Sequence, residues 1–234
     1  MSLQNMQNII KRKSLSEQVF DHIKRMILAE ELKGGQKIPE EKIAKIFGVS
    51  RTPIREALRK LEKSGLIKIV PQSHAEVVKL DSNDAEKIYE VRMFLEILAT
   101  NLLAKKSTEK DYKELLKIAE SCEKYADKKD IANTFLKDSE LHLEIAKRSG
   151  NQYAYEILRN LDIKIQLLRT TRCISIDKIS KDIKLHNPII EAIYRHDASK
   201  AITLMSKHIF GSYFLAENNF EIKNIPEFLM NLIK

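Results

Sequence analysis

Gly48-Val49-Ser50-Arg51-Thr52-Pro53-Ile54-Arg55-Glu56-Ala57-Leu58 reads as a tight turn that opens a short, basic, amphipathic helix. Ser50 is a good N-cap residue, and Pro53 sits early enough to cost no intrahelical hydrogen bond. Ile54, Ala57, Leu58 and Leu61 recur at helical spacing and define one apolar face. Arg51, Arg55 and Arg59 line a neighbouring face together with Thr52. A helix buried on one side, with arginines and a threonine near its start, suits a DNA major groove. Arginine forks match guanine edges and phosphates, and the backbone N–H groups of a helix N-terminus suit a phosphate. For three arginines alone, a solvated face is the better description. The flanking sequence tips the balance toward DNA.

Upstream, a first helix is expected over Ser14–Glu31, with Val19, Ile23, Met26 and Ile27 on one face, and Lys33-Gly34-Gly35 breaks it. A short second helix over Glu40–Phe47 ends at Gly48. Downstream, after Ser64-Gly65, Leu66–Val70 and Ala75–Val78 read as two strands around a turn from Pro71 to His74. Helix, helix, turn, helix and β-ribbon make a winged helix-turn-helix. The charge agrees. Residues 1–78 hold 15 Lys+Arg against 9 Asp+Glu, whereas the other 156 hold 26 against 24. Most of the net charge of +8 therefore sits in the first third, as expected of a polyanion-binding module joined to a near-neutral one.

From Asp81 onward the pattern is almost wholly helical. Helices are expected over 82–105, 108–128, 130–149, 151–171, 177–196 and 198–217, with a short tail helix after Pro226. Their short loops imply antiparallel neighbours in a bundle. The fold class is thus mainly α, a winged helix-turn-helix followed by an antiparallel helical bundle. The expected division is 1–79 for the DNA-binding domain, 80–220 for the helical domain and 221–234 for a tail. No apolar run approaches the roughly 18 residues of a membrane span, and no signal-peptide pattern opens the chain. Two widely separated cysteines, Cys122 and Cys173, make no disulfide framework, so a cytoplasmic setting without membrane partners is expected.

A second constellation lies in the helical region. Ile131, Phe135, Asp138, His142 and Ile145 share one stripe of the helix 130–149, which places Asp138 and His142 one turn apart where core residues belong. His186 lies on the stripe of Ile179, Ile183, Ile190 and Ile193, and His208 on that of Ala201 and Met205. Any one of these histidines alone reads as a hydrogen-bonded core residue. All four side chains on inward stripes of three helices read as ligands of a divalent transition metal: zinc, nickel, iron or manganese. His22, His74 and His196 fall outside this pattern. Pro188, just after His186, either kinks the helix 177–196 or marks a new helix beginning near Asn187. On the helix 82–105, Ile88, Val91, Leu95, Leu98 and Leu102 are expected in the core, and Ala85, Tyr89, Arg92, Glu96 and Ala99 on an adjoining inward stripe. Arg92 is a candidate clamp for a carboxylate ligand whose other oxygen the metal holds, while Glu96 equally well neutralises Arg92.

The run Lys33-Gly34-Gly35-Gln36-Lys37-Ile38, the segment GVSRTPIREAL and Leu61-Glu62-Lys63-Ser64-Gly65-Leu66-Ile67 together resemble the DNA-binding domain of GntR-family regulators. The helical remainder resembles the FCD effector domain of the FadR subfamily. There Asp138-Ser139-Glu140-Leu141-His142, Leu185–Ile193 and Met205-Ser206-Lys207-His208 match the metal-binding branch. The resemblance spans about residues 14–217. It implies a homodimeric regulator that binds a palindromic double-stranded operator and is tuned by a small organic acid, with an arginine of the first bundle helix near the effector. It favours a repressor.

The chain departs from the family at two places. Glu41 stands where many relatives carry a basic residue, leaving Lys42 as the substitute phosphate contact. Ser73-His74 replaces a wing-tip glycine, so a positive φ at His74 would be strained there. Ser50, Arg51, Thr52 and Arg55 are the expected DNA contacts, with Arg59 on phosphate and His74 near the minor groove. A metalloenzyme using the Asp/His site and a regulator responding to metal alone are the rival readings. With Glu96 the only available general base, no enzymatic activity is expected.

Overall fold

A computed structural model of the chain describes residues 13–170 and 176–214. The expected tail helix and Cys173 lie outside them. The chain divides into two compact units, Met1–Lys79 and Leu80–Lys234.

In the first unit, helix α1 (Leu15–Leu28) starts at a capping box in which Ser14 accepts from the Glu17 N–H and the Glu17 carboxylate accepts from the Ser14 N–H. It is shorter than expected, since the chain turns at Ala29 and Glu30 takes a positive φ of 57°. Helix α2 (Glu40–Phe47) ends at Gly48 in the left-handed conformation that a glycine adopts without steric cost. Helix α3 (Arg51–Lys63) follows at once. Its Ile54, Ala57, Leu58 and Leu61 are all buried, as their spacing predicts, and α3 packs against α1 and α2. Strands β1 (Ile67–Val70) and β2 (His74–Val77) form an antiparallel ribbon with Ile67 opposite Val77 and Val70 opposite His74.

Three expectations need correction here. Ser50 is the N-cap of α3 by position, but its side chain makes no capping hydrogen bond. The positive φ at the wing tip falls on Gln72 (56°), while His74 is the first residue of β2. The segment after Gly34-Gly35 is also more than a break. The Ile38 N–H donates to the Ala75 carbonyl (2.8 Å) and the Val77 N–H to that of Gln36 (3.0 Å), so this segment closes the free edge of β2. Isolated residues in an extended bridge carry no period-2 signal, and sequence alone passes over them.

The second unit is an all-helical bundle: α4 (Ser82–Ala104), α5 (Glu109–Asp127), α6 (Ile131–Arg148), α7 (Gln152–Thr170), α8 (Ile176–Ile183), α9 (His186–Tyr194) and α10 (Ala198–Phe214). Capping boxes start α4 at Asp81/Asp84 and α5 at Thr108/Asp111. Gly150, with φ 75°, turns the chain after α6. Helix α4 packs against α6, α7 and α10, and its core includes Ile88, Ile97, Leu103, Leu141, Ile145, Ile190 and Ile209. Arg148 bridges α5 and α6 through Asp111, Glu114 and Glu144.

The single helix expected over 177–196 is two. Pro188 has no N–H to donate to the carbonyl four residues before it, and the helix is interrupted between Ile183 and His186. One α4 stripe needs revision. Ala85, Tyr89, Arg92, Glu96 and Ala99 are buried as expected, whereas Val91 and Leu98, expected in the core, are 46% and 40% exposed, with Phe94 beside them at 44%. The more polar stripe faces inward because its charges find partners there. Ile131, expected on the inward stripe of α6, is likewise exposed at the start of its helix.

Candidate metal centre and nucleic-acid interface

Helices α6, α9 and α10 aim four side chains at one point. Asp138 and His142 are one turn apart on the buried face of α6, His186 opens α9 and His208 lies on the buried face of α10. The His142 and His208 Nε2 atoms are 2.9 Å apart, and those of His186 and His208 3.3 Å. Asp138 Oδ1 lies 3.1 Å from His186 Nε2, 3.5 Å from His142 Nε2 and 3.6 Å from His208 Nε2. Ligands held at about 2.1 Å from one ion at angles near 90–109° stand about 3.0–3.4 Å from one another. The observed separations are of that size. Three inward nitrogens and a carboxylate oxygen at these separations make a donor set that one cation can satisfy together.

The outer atoms of the rings are also held. His142 Nδ1–H donates to the Glu96 carboxylate, and His208 Nδ1–H faces the Asp182 backbone and carboxylate oxygens, both at 3.2 Å. These contacts place a proton on each Nδ1 and turn Nε2 inward, the ring orientation that metal ligation requires. Arg92 Nε donates to Glu96 (2.6 Å), so Arg92, Glu96 and His142 form one buried chain. Arg169 Nη2 holds Asp138 Oδ2 at 2.5 Å, with its guanidinium 4.9 Å from the Phe135 ring centroid. Arg92 Nη1 and Arg169 Nε and Nη1 are buried with no hydrogen-bond partner. Two guanidiniums with spare donors beside the cluster suit an anionic ligand. A carboxylate general base is harder to find, because Glu96 is committed to both Arg92 and His142.

In the first unit, α2, α3 and the wing surround a concave surface lined by Lys42, Lys45, Arg51, Arg55 and Arg59, with Glu40 and Glu41 the two acidic residues among them. Ser50, Arg51, Thr52, Arg55 and Arg59 are exposed, as is Lys42 on α2. His74 also lines it, but its ring is tied down. Nδ1 meets the Ser73 hydroxyl at 2.7 Å and Nε2 the Glu76 carboxylate at 3.2 Å. Of the two histidines outside both sites, His22 packs edge-on against Phe47, and His196 Nδ1 lies 2.7 Å from the Ala104 carbonyl.

Comparison with known proteins agrees with both units. Residues 15–77 match the bacterial regulatory proteins of the gntR family, and residues 87–211 match the FCD domain. The chain belongs to the gntR family, in its FCD-domain branch. The HTH-type transcriptional regulator YdhC of Bacillus subtilis is 29% identical over 185 residues, covering 79% of this chain and 83% of that one. The transcriptional repressor RspR of Escherichia coli is 24% identical over 198 residues, covering 83% and 86%. In structure, E. coli McbR/YncC superposes with a TM-score of 0.77 at 21% identity, over 88% of this chain and 98% of that one, a likeness of fold. The protein is a transcriptional regulator.

Charge in this regulator's buried cluster follows from its neighbours. Burial raises a carboxyl, yet Arg169 and then His142 hold Asp138 well below the usual range. Burial likewise opposes the Glu96 charge, but Arg92 and His142 bring it down to about 2. Burial drives His186 down to about 4, leaving it neutral, whereas Asp182 and Asp138 overcome burial at His208 and push it up to about 10. Sequence reasoning did not find Arg169 or Asp182. Arg169 left a trace, since Asp162, Gln166 and Arg169 form a polar stripe on one face of α7 and all three are buried. Asp182 left none, because α8 reads as an ordinary amphipathic helix.

Proposed function

We propose that this regulator is a metabolite-responsive repressor whose helical unit holds a divalent transition metal on Asp138, His142, His186 and His208. The observation that carries this reading is the convergence of Asp138 Oδ1 and three Nε2 atoms, with protons fixed on the outer side of His142 and His208. Zinc, nickel, iron and manganese all accept such a donor set. When bound, the metal supplies a Lewis-acidic anchor for one oxygen of a small organic acid. Arg92 offers its unpartnered Nη1 to another carboxylate oxygen of the same effector, while Glu96 keeps Arg92 oriented and His142 turned inward. The shared chemistry of the two guanidiniums favours an anionic effector over a neutral one.

The DNA-binding unit lays α3 in the major groove of double-stranded DNA. Ser50, Arg51, Thr52 and Arg55 face base edges, Arg59 and Lys42 face phosphates, and His74 lies on the wing side. A palindromic operator requires two copies, and α4 supplies a surface for the second. Val91, Phe94 and Leu98 form an exposed apolar stripe, as expected of an isologous homodimer contact. Effector binding alters operator affinity only through different affinities for two arrangements of the dimer. A cytoplasmic location follows from these roles.

Thermal-shift screening of zinc- or nickel-loaded protein against small carboxylates and sugar acids tests the effector site, because a native-state ligand in excess raises the melting temperature by mass action. A stabilising acid should weaken binding to a DNA fragment enriched by the protein from random duplexes. In Arg92→Ala its affinity should fall at least tenfold. Unchanged effector affinity in Arg92→Ala removes the clamp, and turnover of the acid would turn the site into an enzyme's.

A further inference from the structure

The nucleic-acid face carries one contact that neither stability nor phosphate binding explains. Arg51 Nη2 donates to Glu41 Oε1 at 2.7 Å, joining the first residue of α3 to the first turn of α2. The two side chains are 67% and 76% exposed. Exposed ion pairs contribute little to stability, so this one is not retained for the fold. It also lies on the surface that faces DNA, where a carboxylate is repelled by every phosphate it approaches.

We propose that Glu41 is a specificity-determining residue. Resting on the DNA-binding reading above, the proposal is that Glu41 aims Arg51 at a base edge and keeps the backbone N-terminus of α2 from holding a phosphate. A free arginine side chain loses considerable rotamer freedom on docking, whereas one already held by a carboxylate loses less. Among the described residues Arg51 has no hydrogen-bond partner besides Glu41, so the rest of its donor fork remains available for the O6 and N7 acceptors of a guanine. Meanwhile Glu40 and Glu41 occupy the first turn of α2, whose N-cap Pro39 adds no side-chain cap. Two carboxylates there cancel the attraction a helix N-terminus otherwise has for phosphate. Backbone contacts then fall to Lys42, Lys45 and Arg59. Glu41 thus penalises misplaced registers while its partner rewards the correct one, which is specificity obtained from repulsion as well as attraction.

The test uses the full-length protein and duplexes it enriches from a random double-stranded library. Affinities are measured for the enriched duplex, for its single-base variants and for unrelated DNA, using wild type, Glu41→Gln, Arg51→Ala and the double variant. The expected result for Glu41→Gln is tighter binding to unrelated DNA and a loss of roughly tenfold in preference at one guanine per half-site. That loss should vanish in the Arg51→Ala background. Equal tightening on every duplex, or the same change with and without Arg51, overturns the proposal and leaves Glu41 a simple repulsive charge. Failure of the wild type to enrich any sequence overturns the DNA-binding reading itself. Circular dichroism confirms that each variant is folded.

Discussion

The two units deploy charge in opposite ways. In the winged-helix unit, Arg51, Arg55 and Arg59 stand in solvent on a helix whose other face is purely apolar, so charge and packing fall to different side chains. In the helical unit, Arg92, Glu96, Asp138, Arg169 and three histidines are buried among the core residues themselves. There a charge persists only because a partner compensates its lost hydration. The exposed arginines can therefore be exchanged one by one, whereas the buried cluster has to be changed as a set.

Asp138→Ala should sharpen that contrast most. It leaves Arg169 buried without its carboxylate, and the helical unit should lose about 3–5 kcal/mol in urea unfolding. The winged-helix unit's transition should stay where it was. If both units shift together, they are not energetically separate. Arg55→Ala, next in size, should weaken binding to the enriched duplex by about 1–3 kcal/mol with an unchanged melting temperature. Loss of helical-unit stability in that variant would break the comparison.

Acidity gives the third test. With a folded value of about 10, His208 is protonated at neutral pH in the metal-free protein, and His186, at about 4, is not. Metal uptake then has to displace the His208 proton, so affinity should fall as the pH is lowered below about 10. Calorimetry in buffers of different ionisation enthalpy counts that proton. The same raised value means that His208 stabilises the metal-free fold below its ordinary 6.5, and that this contribution is lost as pH rises through about 10.

The smallest effect belongs to the charges on the outside of the bundle. Asp111 is held below its ordinary 3.8 by Thr108 and Arg148 against the opposing effect of burial. Its contribution is therefore present above 3.8 and fades as pH falls through the lower folded value. Arg148→Ala should shrink that acid-sensitive part without abolishing it, since Thr108 remains, with a change of about 1 kcal/mol or less at neutral pH.

How much of this was legible in the sequence also differs between the units. The α3 face was readable residue by residue, because a half-buried helix writes its orientation in the spacing of Ile54, Ala57, Leu58 and Leu61. The convergence of Asp138, His142, His186 and His208 was readable for a related reason, since polar residues on apolar stripes must meet something. On α4 the same rule held for Arg92 and Glu96, which are buried on the expected inward stripe, and misled for Val91 and Leu98, which are apolar yet face outward. Periodicity identifies a helix with two candidate faces but not which neighbour each one meets. The hydrogen bonds to Asp182 and Arg169 were illegible because they come from helices far apart in sequence. The break before α9 was half-legible, as Pro188 forbids a continuous helix without stating where the new one begins.

The arrangement of α4 has a consequence for how sequences of this kind can diverge. Arg92 and Glu96 on its inner side alternate with Val91, Phe94 and Leu98 on its outer side, so no residue of that stretch is more than a step from one set or the other. Exchanges at 91, 94 and 98 have to leave the helix neither rotated nor shifted along its axis, because the same rigid rod sets the reach of Arg92 and Glu96. Single replacements on the two sides should therefore be strongly epistatic.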